Sequence, residues 1–172
     1  MKKIIRYTTI LLLFVITSCD SEKEYEDFPV IKSAAVEMSG DWYVKLLLDG
    51  QDVYGIGYYT LSTYNTTEDD GTKIWVDDHE LWPTKVTPNI DISTLTFNGS
   101  DLENEYSYTT GGTEVFPVAN ITNGVIIKNG GRGSATGTVT DSISFNVEYS
   151  DDPGTVYQVA GYKRTGFLED AH

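Results

Sequence analysis

The sequence predicts an all-β domain, a single up-and-down antiparallel β-barrel of about eight strands, on three observations. First, apolar residues recur at every second position. In "SISFNVEYS", Ile143, Phe145, Val147 and Tyr149 fall on one side and Ser144, Asn146 and Glu148 on the other. Second, "LDGQD", "EDDGTK", "FNGSD", "KNGGRG" and "SDDPGT" set Gly beside Asn, Asp or Pro, the residues that supply the positive φ of tight hairpins. Third, no stretch after Cys19 keeps a helical period of apolar residues for three turns, which limits helix to a short lid or a C-terminal turn.

The strands follow in order. "DWYVKLLLDG" places Trp42, Val44, Leu46 and Leu48 together, with Tyr43, Lys45 and Asp49 opposite and Leu47 against the pattern. "KIWVDD", "KVTPNIDI", "STLTFNG", "GVIIKNG" and "SATGTVT" add shorter strands before "SISFNVEYS". Spread over residues 36–168, about eight strands recur roughly every 16 residues, wider than the spacing of about 8–12 expected of a sandwich. Long strands and tight hairpins suit a closed barrel, and closure removes exposed sheet edges. An eight-stranded barrel is just wide enough to enclose one small ligand or to be filled by its own side chains, and both outcomes stay open.

Residues 1–18 read as a cleaved export signal. Lys2, Lys3 and Arg6 form a positive leader, Ile10–Ile16 is an unbroken apolar run, and the small residues Thr17 and Ser18 follow. The run is far shorter than the roughly 20 apolar residues of a bilayer-spanning helix. Ile16, Thr17, Ser18 and Cys19 then resemble the lipobox of bacterial lipoproteins. That resemblance implies cleavage before Cys19 and its acylation, with each buried methylene contributing roughly 0.8 kcal/mol to anchoring. It also implies attachment to the outer membrane of a Gram-negative bacterium, facing the periplasm or the cell surface. Residues 19–35 form an acidic tether bearing Asp20, Glu22, Glu24, Glu26 and Asp27. They serve as a spacer or as the export tag that such acids resemble in surface lipoproteins of Bacteroides-type bacteria. Residues 36–168 form the domain and 169–172 a C-terminal tail.

The full chain holds 12 basic and 26 acidic residues. Such a surface repels phosphate backbones and anionic head groups, so nucleic acid is excluded as a partner and membrane contact falls to the acyl anchor. The single cysteine rules out an internal disulfide, and the core must hold the fold unaided.

"SGDWYVKLLLDG" resembles the G-x-W of the first strand of lipocalin-like barrels, and "GYKRTGF" offers Arg164 where that superfamily has a basic residue across the tryptophan. With the lipobox, the pattern is similar to a family of small Bacteroides-type lipoproteins described as lipocalin-like and lipid-binding and labelled hydrolases. The resemblance implies that Trp42 and Arg164 close one end of the barrel, a structural role. The "TDY" motif of many lipocalins is absent from this sequence.

Three function classes follow. In the first, the barrel binds a small apolar or amphipathic ligand such as a lipid, lined by Val44, Leu46, Leu48, Phe145, Val147 and Tyr149. In the second, a solid-cored barrel recognises glycan or protein through exposed members of Tyr58, Tyr59, Tyr64, Trp75, Trp82, Tyr106 and Tyr108. In the third, His79, flanked by Asp77 and Asp78, serves a hydrolase, which requires it within hydrogen-bond reach of both a serine hydroxyl and a carboxylate. No G-x-S-x-G, H-E-x-x-H, phosphate-loop or calcium-loop spacing occurs, and His79 with Asp77 lacks further metal ligands. No cofactor or metal is expected.

Overall fold

The computed structural model describes residues 32–79, 81–82 and 84–172. The export signal, Cys19 and the tether up to Ile31 lie outside the described residues. Residues from Lys32 to His172 form one compact unit.

Among the described residues eleven strands run in chain order: β1 (Gly40–Leu47), β2 (Tyr59–Asn65), β3 (Ile74–Asp77), β4 (Lys85–Val86), β5 (Asn89–Asp91), β6 (Thr96–Leu102), β7 (Tyr108–Thr110), β8 (Thr113–Val115), β9 (Ala119–Arg132), β10 (Val139–Tyr149) and β11 (Tyr157–Lys163). Among the described residues, helix is confined to single turns at Val36–Met38 and Leu168–Asp170. The antiparallel prediction holds, but the closed barrel of about eight strands does not. The main sheet has nine strands in the order β4-β3-β2-β1-β11-β10-β9-β6-β5, and β7-β8 form a separate hairpin. It is curled but open, with its edges 10 Å apart.

The opening has a local cause. "KVTPNIDI" splits into β4 and β5 around Thr87 and Pro88, and a proline cannot donate to a ladder. Each half becomes an edge, and each edge is covered. On β4, Lys85 N–H donates to Asn104 Oδ1 at 2.8 Å and Glu105 N–H donates to the Lys85 carbonyl at 3.0 Å. On β5, Ile90 N–H donates to the Thr72 carbonyl at 2.9 Å, and Lys73 faces Asn89 in a lone bridge. These contacts protect the edges from pairing with another chain. Register shifts between β9 and β10 and between β6 and β9 mark bulges, which add the coiling that curls the sheet.

Alternation places the core on the concave side. Trp42, Val44, Leu46, Leu61, Ile74, Val76, Val86, Phe97, Ile121, Ile143, Phe145, Val147 and Val159 form one buried cluster. Of the five expected turns, "LDGQD" behaves as predicted: Asp49 (φ 52°) and Gly50 (φ 78°) lie between the bridged residues Leu48 and Gln51. "FNGSD" instead lies inside β6, and "KNGGRG" lies in the end of β9 up to Arg132. In the latter, Gly131 is needed for close approach, since a Cβ there would come within 2.8 Å of the Tyr162 Cβ. "SATGTVT" is mostly the connection into β10, which begins only at Val139.

One end of the sheet is stoppered by the Val36–Met38 turn. Trp42 Nε1–H donates to Thr63 Oγ1 at 2.9 Å, and Thr63 Oγ1–H donates to the Met38 carbonyl at 2.6 Å. Trp42 sits at this end, fully buried against Met38. The basic group across it is Lys163 rather than Arg164. Lys163 is Trp42's register partner, and its ammonium lies 5.6 Å from the indole centroid. Alternation sends Arg164 to the opposite face, where its guanidinium lies 5.4 Å from the Tyr43 ring.

Candidate functional site

Antiparallel alternation sends four connections to the end opposite the stopper: 48–58, 78–84, 103–118 and 150–156. Together they expose Val53, Tyr54, Leu81, Phe116 and Val156, each at least 42 % accessible. Side chains of this size left in water on neighbouring loops mark a contact surface rather than a core. Beneath them lies an aromatic cluster. The Trp82 ring is 5.1 Å from Tyr54, 5.7 Å from Tyr157 and 6.4 Å from Tyr149 between centroids.

The hydroxyls of the three tyrosines are tied down. Tyr54 and Tyr157 share a hydroxyl–hydroxyl bond of 2.8 Å, Tyr157 is 2.7 Å from Asp152 Oδ2, and Tyr149 is 2.7 Å from Thr84 Oγ1. Burial pushes the Tyr149 and Tyr157 hydroxyls above the ordinary phenol range, so both remain neutral donors. Asp78, 3 % exposed, shapes the Trp82 loop by accepting from Trp82 N–H and Thr84 N–H at 2.9 Å each. Leu81, Trp82, Tyr108, Pro117 and Asp151 line a mostly apolar groove of about 270 Å³ at this end.

The six strand residues expected to line a ligand cavity are brought together. Val44, Leu46, Phe145, Val147 and Tyr149 are at most 3 % exposed, and Leu48 packs against the same cluster. They stand below the aromatic cluster, which they join through Tyr149. Trp82 is among the aromatics singled out from the sequence, but Val53, Tyr54, Leu81, Phe116 and Val156 are not. Their signal is a few large apolar residues in loops otherwise rich in Gly, Asp and Thr, which becomes legible only once the loops share one end.

A second constellation lies on the convex face. Register sets Asp77, Ser62 and Asp41 side by side on β3, β2 and β1. His79 folds back over this row: its Nε2 is 2.8 Å from Ser62 Oγ, and its Nδ1 is 3.9 Å from Asp77 Oδ1. Its backbone sits in the left-handed region at φ 56°, a conformation that persists only where surroundings impose it. Burial raises the Asp77 carboxyl, yet hydrogen bonds from His79 N–H and the Tyr64 and Tyr106 hydroxyls outweigh it and hold the group below the usual carboxylate range. The serine requirement of the hydrolase class is therefore met, and the carboxylate is beyond hydrogen-bond distance.

The serine proton has a competing destination, because Ser62 Oγ–H donates to Asp41 Oδ1 at 2.7 Å. With one proton, Ser62 cannot also donate to His79, so in this arrangement His79 Nε2–H donates to Ser62. Nothing in "TLSTYN" distinguishes Ser62 from the other serines.

A family profile described as "Lipid-binding putative hydrolase" matches residues 28–168, most of the chain. The chain belongs to this family. Membership supports the lipid-binding part of the resemblance read from the sequence, and it carries no lipocalin designation and no restriction to Bacteroides-type bacteria. No curated protein matches the chain.

Proposed function

We infer that this member of the lipid-binding family takes a small amphipathic ligand, such as a lipid with an uncharged headgroup, at the aromatic end of the sheet. One observation carries the reading: Val53, Tyr54, Leu81, Phe116 and Val156, from four connections at one end of the sheet, are exposed, with Tyr54 against the Trp82 ring and Leu81 lining its groove. Pockets for such ligands are mostly apolar with a few placed polar groups, here the Tyr108 hydroxyl and the Asp151 carboxylate to which it donates at 2.8 Å. Asp151 lines the groove and Asp152 stands beside it, so a fatty-acid carboxylate is repelled while an uncharged headgroup is accepted. Titration of the protein with a fluorescent monoacylglycerol should give saturable binding. Leu81→Asp should weaken it at least tenfold, and an anionic fatty-acid probe should bind more weakly. No saturable binding of either probe, or a Leu81→Asp protein that binds like the parent, would defeat the reading.

A second reading rests on the 2.8 Å contact between His79 and Ser62. In it Ser62 attacks an ester carbonyl and His79 Nε2 takes the hydroxyl proton and returns it to the departing alcohol; water then releases the acyl group by the same path. For this Ser62 must first turn its hydroxyl away from Asp41, and His79 must carry its ring proton on Nδ1 so that Nε2 is free to accept. The expected result is labelling by a fluorophosphonate probe and slow cleavage of 4-nitrophenyl butyrate, both lost in Ser62→Ala. Absence of labelling in the parent protein removes the hydrolase reading and leaves ligand binding untouched.

A further inference from the structure

The geometry points to a second binding site, for a neutral oligosaccharide, on the convex face around Trp75. Trp75 projects from β3 away from the core, and its register partner on β2 is Tyr64, with ring centroids 6.4 Å apart and a tilt of 31°. Tyr106 lies on the same side, close enough that one ammonium, Lys85 Nζ, is 5.3 Å from the Trp75 centroid and 5.6 Å from that of Tyr106. Both tyrosines are fixed from below by one carboxylate. Tyr64 O–H donates to Asp77 Oδ2 at 2.8 Å and Tyr106 O–H to Asp77 Oδ1 at 3.0 Å. The strip of three rings is thus held in place before any ligand arrives, which lowers the ordering cost of binding.

Two grooves meet at Trp75, the ring of the strip that lines both. One, of about 470 Å³, is lined on its far side by Thr66, Glu68 and Asp70. The other, of about 390 Å³, runs over Asn89, Ser100 and Glu103. Lys73, Trp75 and Thr87 belong to both. The grooves follow the seam where Pro88 interrupts the ladder between β4 and β5, so the feature that opens the sheet also furrows its outer surface. A furrow with one central aromatic face and a floor of hydroxyls, amide and carboxylates matches a pyranose. The apolar C–H face of a sugar stacks on an indole while its hydroxyls bond to polar edges on either side. The second groove is predominantly polar, which disfavours an acyl chain or an apolar peptide anchor. Glu68, Asp70, Glu103 and Glu105 outnumber Lys73 and Lys85 around the indole, so the net negative charge disfavours uronic or sialic acids and selects uncharged sugars.

The test is binding of the full chain to a printed array of neutral and acidic glycans, followed by titration of the best neutral oligosaccharide with tryptophan fluorescence as the readout. The expected result is selective retention of neutral glycans. Affinity should fall at least tenfold in Trp75→Ala and in Ser100→Arg, an exposed change that fills one groove without touching the strip. Leu81→Asp, at the opposite site, should leave glycan affinity unchanged. An array on which no glycan is retained, retention of acidic glycans alone, or undiminished affinity in Ser100→Arg overturns the proposal.

Discussion

Replacing Trp42 by alanine is expected to destabilise the protein by about 3–5 kcal/mol, the range for truncating a large buried aromatic. The indole is 0 % exposed and stands over Met38, also 0 % exposed, so its removal leaves a cavity at the stoppered end. Two further links go with it. Thr63 Oγ1 loses the donor that steers its own hydroxyl to the Met38 carbonyl, and the Lys163 ammonium loses the ring face it covers. Lys163 Nζ also donates to the Ser39 carbonyl at 2.9 Å, so the Val36–Met38 turn is held through the same group. For a unit of this size the melting temperature should drop by about 10–20 °C. Trp42→Phe keeps most of the apolar volume and removes the indole donor, and its loss should be about 1–2 kcal/mol. Melting curves of the two variants provide the check. A Trp42→Ala midpoint equal to that of the parent would show that this end is not sealed by the indole.

Asp170 should dominate the acid sensitivity of the fold. It is a charged residue with 0 % exposure, and its carboxylate gathers four donors: Thr136 Oγ1 at 2.6 Å, Thr165 Oγ1 at 2.7 Å, Ala135 N at 2.8 Å and Thr136 N at 2.9 Å. Gly133 makes the room, since a Cβ there would overlap Asp170 Oδ2. Burial alone would raise the carboxyl, but the hydrogen bonds from Thr136, Thr165 and Ala135 prevail and hold it far below the usual range. Because folding lowers this pKa, the stabilisation is complete above the ordinary carboxyl value of about 3.9 and is lost as pH falls through the folded value. Asp170→Asn should therefore melt well below the parent at pH 7, and the gap should close steadily below about pH 4. A gap of constant size from pH 7 to pH 2 would remove the carboxylate from that account. The tail it clips carries His172, which stacks on Tyr58 at 4.3 Å and meets Tyr43 edge-on at 5.1 Å. Release of Asp170 should thus also expose Tyr43, now only 5 % accessible.

Period-two patterning made β1 and β10 legible, because each strand has one face in a common core and alternation is a property of the strand itself. The glycine-based turn readings were less general. Gly50 and Gly154 do turn the chain with positive φ, whereas Gly99, Gly130 and Gly131 lie within strands, at places where a neighbouring chain or side chain comes too close for a Cβ. Composition cannot separate these two uses of glycine. The Arg164 expectation missed by one position, and one position in a strand exchanges the faces. Of the candidate sites, His79 was visible as a lone histidine among acids, but its partner Ser62 lies 17 residues earlier and meets it only through the pairing of β2 with β3.

By itself the sequence determined an all-β, disulfide-free, strongly acidic domain whose apolar residues alternate toward one side, and the reading of Cys19 as an anchor rests on sequence alone. Tertiary structure decided whether the sheet closes, which face each ring occupies and which distant loops share an end. The physical reason is range. Alternation, charge and turn chemistry act between neighbours in the chain, whereas an edge, a groove or an aromatic cluster exists only where strands far apart in sequence come into register.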